Sequence, residues 1–247
     1  AFIHVKNLSD MEYVQNHYLI FATKNGLMKK TTLESYSRPR ANGIIALGLR
    51  EDDRLIRVTL TDGNSQMLVA SYNGKVVRFP EDTVRPMGRT ATGVRAIKLD
   101  EDGKDRVIGM ICVEQGSKDS VLVISEKGFG KRTLLDDENG EPIYRITNRG
   151  GKGVKTMNIT DKTGNLIGLE AVNDDMDLML ITKAGTAIRM AMDAISVLGR
   201  ATQGVKLIEL QKRNDTLMFG GTVPKEEQEE VAESEEVTTE ETTTTEE

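Results

Sequence analysis

The chain has 247 residues, 38% hydrophobic and 4% aromatic, enough to bury a substantial core as one large β domain or two smaller units. A single cysteine excludes a disulfide framework, no apolar run approaches the ~20 residues of a membrane span, and no charged-then-apolar signal segment opens the sequence. The formal charge of -6 hides an asymmetry: residues 224–247 hold eleven Glu and one Lys, leaving 32 Lys and Arg against 28 Asp and Glu in a mildly basic body.

In chain order, the sequence opens with Ala1 inside the run AFIHV, without an initiator Met, so it is expected to be a piece of a longer polypeptide. The segment Leu19–Lys30 (LIFATKNGLMKK) then sets a pattern that returns at Met67–Arg78 (MLVASYNGKVVR), Val121–Arg132 (VLVISEKGFGKR) and Leu178–Arg189 (LMLITKAGTAIR). Each copy has a β-rich run, a Ser or Thr three residues before a glycine (Gly26, Gly74, Gly128, Gly185), and a basic residue four beyond it: Lys30, Arg78, Arg132 or Arg189. A run, a glycine turn and a second run predict a β-hairpin.

A glycine-bearing element follows each hairpin: RPRANGII, GRTATGVR, NRGGKGVK and GRATQGVK. A third element recurs as DRLIRVTLTDG, DRVIGMICVEQG and GNLIGLEAVND, with NDTLMFGGTVP and AFIHVKNLSD as partial copies, and predicts a further strand in each repeat. The hairpin glycines lie 48, 54 and 57 residues apart, a period that fits propeller-like β blades rather than helical repeats. Helix is expected only as short turns near FPEDTV and AMDAISVLG. The predicted class is therefore all-β, about four blades, with repeats at roughly 1–51, 52–104, 105–163 and 164–223, either a small ring or an arc of a larger one. The acidic, Thr-rich residues 224–247 cannot form a core and are predicted to be disordered.

Candidate chemistry centres on basic loops. Asn148–Thr156 (NRGGKGVKT) joins three glycines to Arg149, Lys152 and Lys155, so the backbone can approach a phosphate while the side chains neutralise it. It does not fit a P-loop, whose glycines are farther apart and which opens a helix. Glycines of this kind also serve simply as tight loops, but a basic residue repeated at one offset in every blade predicts a charged stripe on the rim, the footprint of a polyanion site. The expected contacts are Lys30, Arg38, Arg40, Arg78, Arg89, Arg95, Arg132, Arg149, Lys152, Lys155, Arg189, Arg200 and Lys206. With no Trp and few aromatics, duplex phosphates are a better target than stacked single-stranded bases.

Catalytic signals are thin. His4 and His17 fit no metal or triad spacing, and Cys112 reads as a strand thiol. Asp52, Asp53, Asp136, Asp137, Asp174 and Asp175 read as solvated turn residues.

The repeats, Arg149-Gly150-Gly151-Lys152-Gly153, NGKVVRF, GRTATGVRAIKL, GRATQGVKLIEL and the acidic tail together resemble the C-terminal domains of bacterial DNA gyrase A, from about Ala1 to Val223. The resemblance implies a β-pinwheel whose basic rim bends and wraps duplex DNA, so that the holoenzyme, an A2B2 assembly with gyrase B, introduces negative supercoils with ATP. It implies a bacterial, cytoplasmic, nucleoid-associated protein with no membrane partner, an isolated domain that is monomeric, and a non-catalytic part of a type II topoisomerase. ATP, Mg and the cleaving tyrosine belong to other domains, so none of Tyr13, Tyr18, Tyr36, Tyr72 and Tyr144 is expected to be a nucleophile and no cofactor is expected here. The family's box reads Gln, a basic residue, Arg, Gly, Gly, Lys, Gly and lies in the first blade. This chain keeps only the last five, in a late repeat, so the loop is expected to be a degenerate copy and the full box to lie in preceding blades of a five- or six-bladed ring. Two alternatives stand beside this reading: the matching C-terminal domain of topoisomerase IV, and a propeller that serves as a protein-interaction scaffold.

Overall fold

The computed structural model describes residues 3–5, 7–101, 103–210 and 215–225. Along the chain these form α1 (Met11–Asn16), β1 (Tyr18–Thr23), β2 (Leu27–Thr32), β3 (Leu55–Thr61), β4 (Gln66–Ser71), β5 (Lys75–Pro80), β6 (Val94–Arg95), β7 (Val107–Val113), β8 (Ser120–Ser125), β9 (Phe129–Leu134), β10 (Val154–Lys155), β11 (Leu166–Val172), β12 (Met176–Thr182), β13 (Ala187–Ala191), β14 (Val205–Lys206) and β15 (Leu217–Pro224). Residues 226–247, most of the acidic tail, lie outside the described residues, as does the expectation of disorder there.

All four expected hairpins are present, as β1–β2, β4–β5, β8–β9 and β12–β13. The recurring Ser or Thr has a specific use. In the first hairpin the Thr23 carbonyl accepts the Gly26 amide at 3.1 Å, its hydroxyl accepts the Leu27 amide at 3.2 Å, and Gly26 turns the chain at φ +82°. The hydroxyls of Ser125 and Thr182 take the amides of Phe129 and Thr186 in the same way. In these three hairpins a side chain thus holds the turn amide that the ladder does not reach, whereas in the second hairpin the Ser71 hydroxyl is buried without a partner.

The third elements add a strand to the other side of each hairpin: β3 on β1, β7 on β4, β11 on β8 and β15 on β12, all antiparallel. The fourth strand of a blade comes from the glycine loop of the next repeat: β6 pairs with β2, β10 with β5 and β14 with β9. Three sheets therefore have four strands, while the last, β13-β12-β15, has three. This exchange explains the loop glycines. At φ +73°, Gly153 rests on β5 so closely that a Cβ would meet the Val76 carbonyl oxygen at 2.5 Å.

The sheets stack face to face, with a core between each consecutive pair. Ile20, Ala22 and Met28 of the first blade meet Met67, Val69 and Val77 of the second. Leu68, Ala70 and Val76 on the opposite face meet Val121, Val123 and Phe129 of the third, and Leu122 and Ile124 meet Leu178 and Leu180 of the fourth. Because the inner sheets are covered on both faces, β4 and β8 are buried at every residue, which is why their sequences lack polar alternation.

Some expectations differ from the structure. The partial copy AFIHVKNLSD makes no strand among its described residues; in every other copy this strand pairs with the hairpin N-terminal to it. Instead Ile3, Val5 and Leu8 pack against Leu19, Phe21 and Leu33. Helix α1 was not expected from the β-rich pattern, yet Asp10 caps it by accepting the Tyr13 amide at 3.1 Å. Short 3-10 turns do occupy Glu81–Thr83 and Met192–Ala194, where turns were expected, and a further one spans Leu33–Tyr36. Asp53 is not a solvated turn residue: it is 7% exposed and takes the amides of Asn25 and Arg54 at 2.9 and 2.8 Å.

Candidate nucleic-acid interface

The basic residue four beyond each hairpin glycine sits at the same place in every blade, but it is not an open charge. Lys30, Arg78 and Arg132 are buried, at 4%, 4% and 8% exposure. Their β-strand backbones receive the next repeat, with the amides of Met87, Thr147 and Leu198 donating to the carbonyls of Lys30, Arg78 and Arg132 at 2.8, 2.9 and 2.8 Å. Their side chains run to acids of that repeat. Lys30 meets Glu81 at 2.8 Å and lies 4.2 Å from the Tyr18 ring centre, Arg78 meets Asp136 at 2.7 Å, and Arg132 meets Asp174 at 2.5 Å. Arg78 also donates to Gln66 Oε1 at 2.5 Å and to the Leu135 carbonyl at 3.0 Å.

Arg189, in the last blade, pairs instead with Asp177 of its own hairpin at 2.7 Å. The expectation of an exposed stripe built on these four residues is therefore corrected. They are staples between or within blades, and a carboxylate neutralises each. Asp136 and Asp174, expected as solvated turns, are the acids that two of the staples need.

A second set of basic residues does face outward. Arg38 and Arg40 are exposed in the first repeat, and Arg95, Lys155 and Lys206 are exposed at equal positions, two residues after loop glycines Gly93, Gly153 and Gly204, with Lys206 in a surface pair with Glu209 at 2.6 Å. Lys152 is exposed within the RGGKG loop. Arg89, Arg149 and Arg200 are half-buried, and two of them tie consecutive loops together. Arg149 donates through Nε to the Thr83 carbonyl at 3.1 Å and through Nη1 to the Arg95 carbonyl at 3.3 Å, while Arg200 Nη1 donates to the Lys155 carbonyl at 2.5 Å. The last two loops are thus each anchored on the one before, and Arg95, Lys155 and Lys206 fall in sequence along three adjacent blades. In the first repeat the matching position is Ile45, 67% exposed and uncharged.

Sequence reasoning missed four further residues. Arg85 and Arg145 are exposed and stand four residues before Arg89 and Arg149, an offset that the repeat alignment carries. Lys29 and Lys131 sit three residues after hairpin glycines and are 1% and 0% exposed. Lys29 Nζ donates to the carbonyls of Ala46 at 2.6 Å, Gly88 at 3.4 Å and Arg89. Lys131 Nζ donates to those of Gly199 at 2.5 Å and Arg200 at 2.6 Å. Burial, with Arg89 or Arg200 nearby, lowers each ammonium to about 8.

The second blade has Val77 in the same slot, and there a cavity of about 220 Å³ lies beneath the RGGKG loop, lined by Val77, Arg145, Asn148 and Lys152 among others. Its size leaves room for water or a small ion, not for a nucleotide.

Cys112 lies on β7 with its thiol 3.3 Å from Met67 Sδ, and burial pushes it up to about 12, the reverse of what a nucleophile needs. None of the helices among the described residues is long and apolar enough to cross a membrane.

Among known proteins, the chain matches the family described as DNA gyrase C-terminal domain, beta-propeller, over residues 17–62, 66–114, 119–173 and 177–223. It is 46% identical over 208 residues to DNA gyrase A from Staphylococcus aureus strains MRSA252 and NCTC 8325, matches that cover 84% of this chain and 22% of each relative. The chain thus spans about a fifth of the length of these relatives. Solved structures of similar fold include the C-terminal domain of DNA topoisomerase IV, at TM-score 0.78 and 23% identity over 87% of this chain and 64% of that one. The DNA gyrase A C-terminal domain matches at TM-score 0.71 and 22% identity, over 84% and 66%.

Proposed function

Because the chain belongs to the DNA gyrase C-terminal domain family of β-propellers, we propose that it binds duplex DNA along the loop edge of its blades and bends it as the wrapping part of a gyrase. The observation that carries this reading is the line of exposed Arg95, Lys155 and Lys206, one per loop, on loops clamped to one another by Arg149 and Arg200. Charges at a fixed interval on a rigid frame suit a phosphate backbone, whose contacts position the duplex without reading its sequence. A row extending over three blades also favours a curved path for the duplex over a single point of contact.

In this reading Arg38, Arg40, Arg85, Arg145 and Lys152 extend the contact, and Arg89, Arg149 and Arg200 hold the loops while adding charge. Lys30, Arg78, Arg132 and Arg189 act on DNA only indirectly, by keeping the blades in register. The domain contributes no catalytic group and no cofactor site of its own. Strand cleavage and ATP hydrolysis belong to the rest of gyrase A and to gyrase B, and wrapping supplies the handedness that makes supercoiling negative. The setting is a bacterial cytoplasm.

The topoisomerase IV counterpart is the second reading, supported by likeness of fold. The experiment is a duplex-DNA titration across salt concentrations. For Z neutralised phosphates the slope of log K against log salt is about -0.9Z, so a steep linear loss of affinity supports the rim contacts. Absence of binding at low salt by a folded chain would refute them and favour a protein-interaction scaffold.

A further inference from the structure

The buried cations of this chain fall into two groups. Lys30, Arg78, Arg132 and Arg189 each lie against a carboxylate, so the pairs add no net field. Lys29 and Lys131 make no ion pair among the described residues. Their ammonium groups donate to backbone carbonyls, and Lys29 also lies 5.1 Å from the Phe21 ring centre; these groups stabilise a cation but carry no charge to cancel it. Both point at the same place in the fold, the start of the glycine loop contributed by the next repeat, at Gly88-Arg89 and Gly199-Arg200.

The charged and titratable neighbours of the two sites also match. Arg89 acts on Lys29 and on Tyr36, whose hydroxyl donates to the Ala46 carbonyl at 2.9 Å. Arg200 acts on Lys131 and on Tyr144, whose hydroxyl meets Thr156 Oγ1 at 2.8 Å. Burial holds both tyrosines above their usual range, so they stay neutral. Each site thus concentrates two positive charges, one lysine and one arginine, at a loop edge. The arginine is half-exposed and can meet a ligand; the lysine lies behind it.

We propose that Lys29 and Lys131 belong to the DNA-binding site as its fixed, unneutralised inner charges, completed electrically when a duplex phosphate seats on the Arg89 and Arg200 loops. The inference rests on the duplex-binding reading above and deepens it. Two consequences follow from the chemistry. Val77 replaces the lysine in the second blade, so the RGGKG loop takes its charge only from outward side chains. The two lysines also couple binding to protons. An ammonium held near 8 in the free protein is partly deprotonated above that pH, and a nearby phosphodiester favours the charged form, so binding draws a proton from solvent onto the amine nitrogen. The sign is fixed: affinity falls as pH rises through and beyond 8, by at most about tenfold per pH unit for each lysine linked.

The test compares the wild-type chain with Lys29→Arg/Lys131→Arg, whose guanidinium groups stay charged throughout. A fluorescent duplex is titrated from pH 7.0 to 9.5 at fixed salt, with the fold checked by circular dichroism at each pH. The α-amino group titrates in this window too, but it is common to both proteins. The expected result is a loss of affinity with pH in the wild type that the double arginine variant lacks, and net proton uptake at pH 8.5 by calorimetry in buffers of unlike ionisation heat. Identical pH profiles for the two proteins would overturn the proposal while leaving duplex binding intact. Absence of binding by both at low salt would instead remove the duplex reading itself. Should the variant not fold, the lysine Cε resonances of the wild type decide: the two titrations move to higher pH with duplex present, and unchanged midpoints overturn the inference.

Discussion

Replacing Glu81 with Gln tests the staple between the first two blades most sharply. The Glu81 side chain is fully buried, the Lys30 side chain is 5% exposed, and their N–O distance is 2.8 Å. Glu81 also accepts from the Thr61 hydroxyl at 2.7 Å and the Ser65 amide at 3.2 Å, so it joins β3, the β3–β4 turn and the segment after β5. Gln keeps the shape and an acceptor oxygen but removes the negative charge, leaving the buried Lys30 ammonium without an anion beside the Tyr18 ring face. Breaking a buried pair from one side costs about 3–5 kcal/mol. At roughly 2–4 °C per kcal/mol for a chain of this size, the midpoint should fall on the order of 10 °C.

Urea denaturation followed by circular dichroism measures the loss, and Lys30→Met together with Lys30→Met/Glu81→Gln completes the cycle. Removing both charges should recover at least ~2 kcal/mol of the single-variant loss, because no unpaired ion then remains in the core. A Glu81→Gln cost below about 1 kcal/mol, or strict additivity in the double variant, would refute the staple.

The other staples should grade with exposure of the acid: Asp174→Asn, at a 71% exposed carboxylate, is expected to cost no more than about 1 kcal/mol in the same assay. Gly153→Ala should destabilise by about 1–3 kcal/mol, since a Cβ there meets the Val76 carbonyl oxygen at 2.5 Å, whereas Gly43→Ala, with nothing within 4 Å, carries only the cost of its positive φ; thermal melts separate the two. Cys112, with its thiol near 12, has about one part in ten thousand as thiolate at pH 8, so alkylation by iodoacetamide should be slow in the folded chain and become fast in urea.

The repeat was legible because its parts recur at fixed offsets, and the hairpins, their glycine turns and the added strand of each blade follow from it directly. What the offset could not show was direction. In a two-stranded pattern the residue four beyond the glycine looks like any polar end of a strand. It faces inward here because the next repeat adds backbone onto Lys30, Arg78 and Arg132 and brings an acid with it, contacts between residues 42 to 69 positions apart. The same exchange hid the short strands β6, β10 and β14, whose two residues carry no periodicity of their own. Lys29 and Lys131 were unreadable for a related reason: a lysine next to another basic residue in a hairpin reads as solvated surface until its ammonium is seen among carbonyls. Arg95, Lys155 and Lys206 were chosen from sequence, but only the clamped loops reveal that they form the repeated outward position.

The measurement that bears most directly on the proposed interface is the salt-dependent affinity for duplex DNA of the wild type and of Arg95→Glu/Lys155→Glu/Lys206→Glu, with folding verified for both. The expected result is weaker binding at every salt concentration and a slope shallower by about 2.7, the loss of three neutralised phosphates. Equal affinity and equal slope in the two proteins would contradict a DNA path along the loop edge and leave the exposed row as ordinary solvated surface.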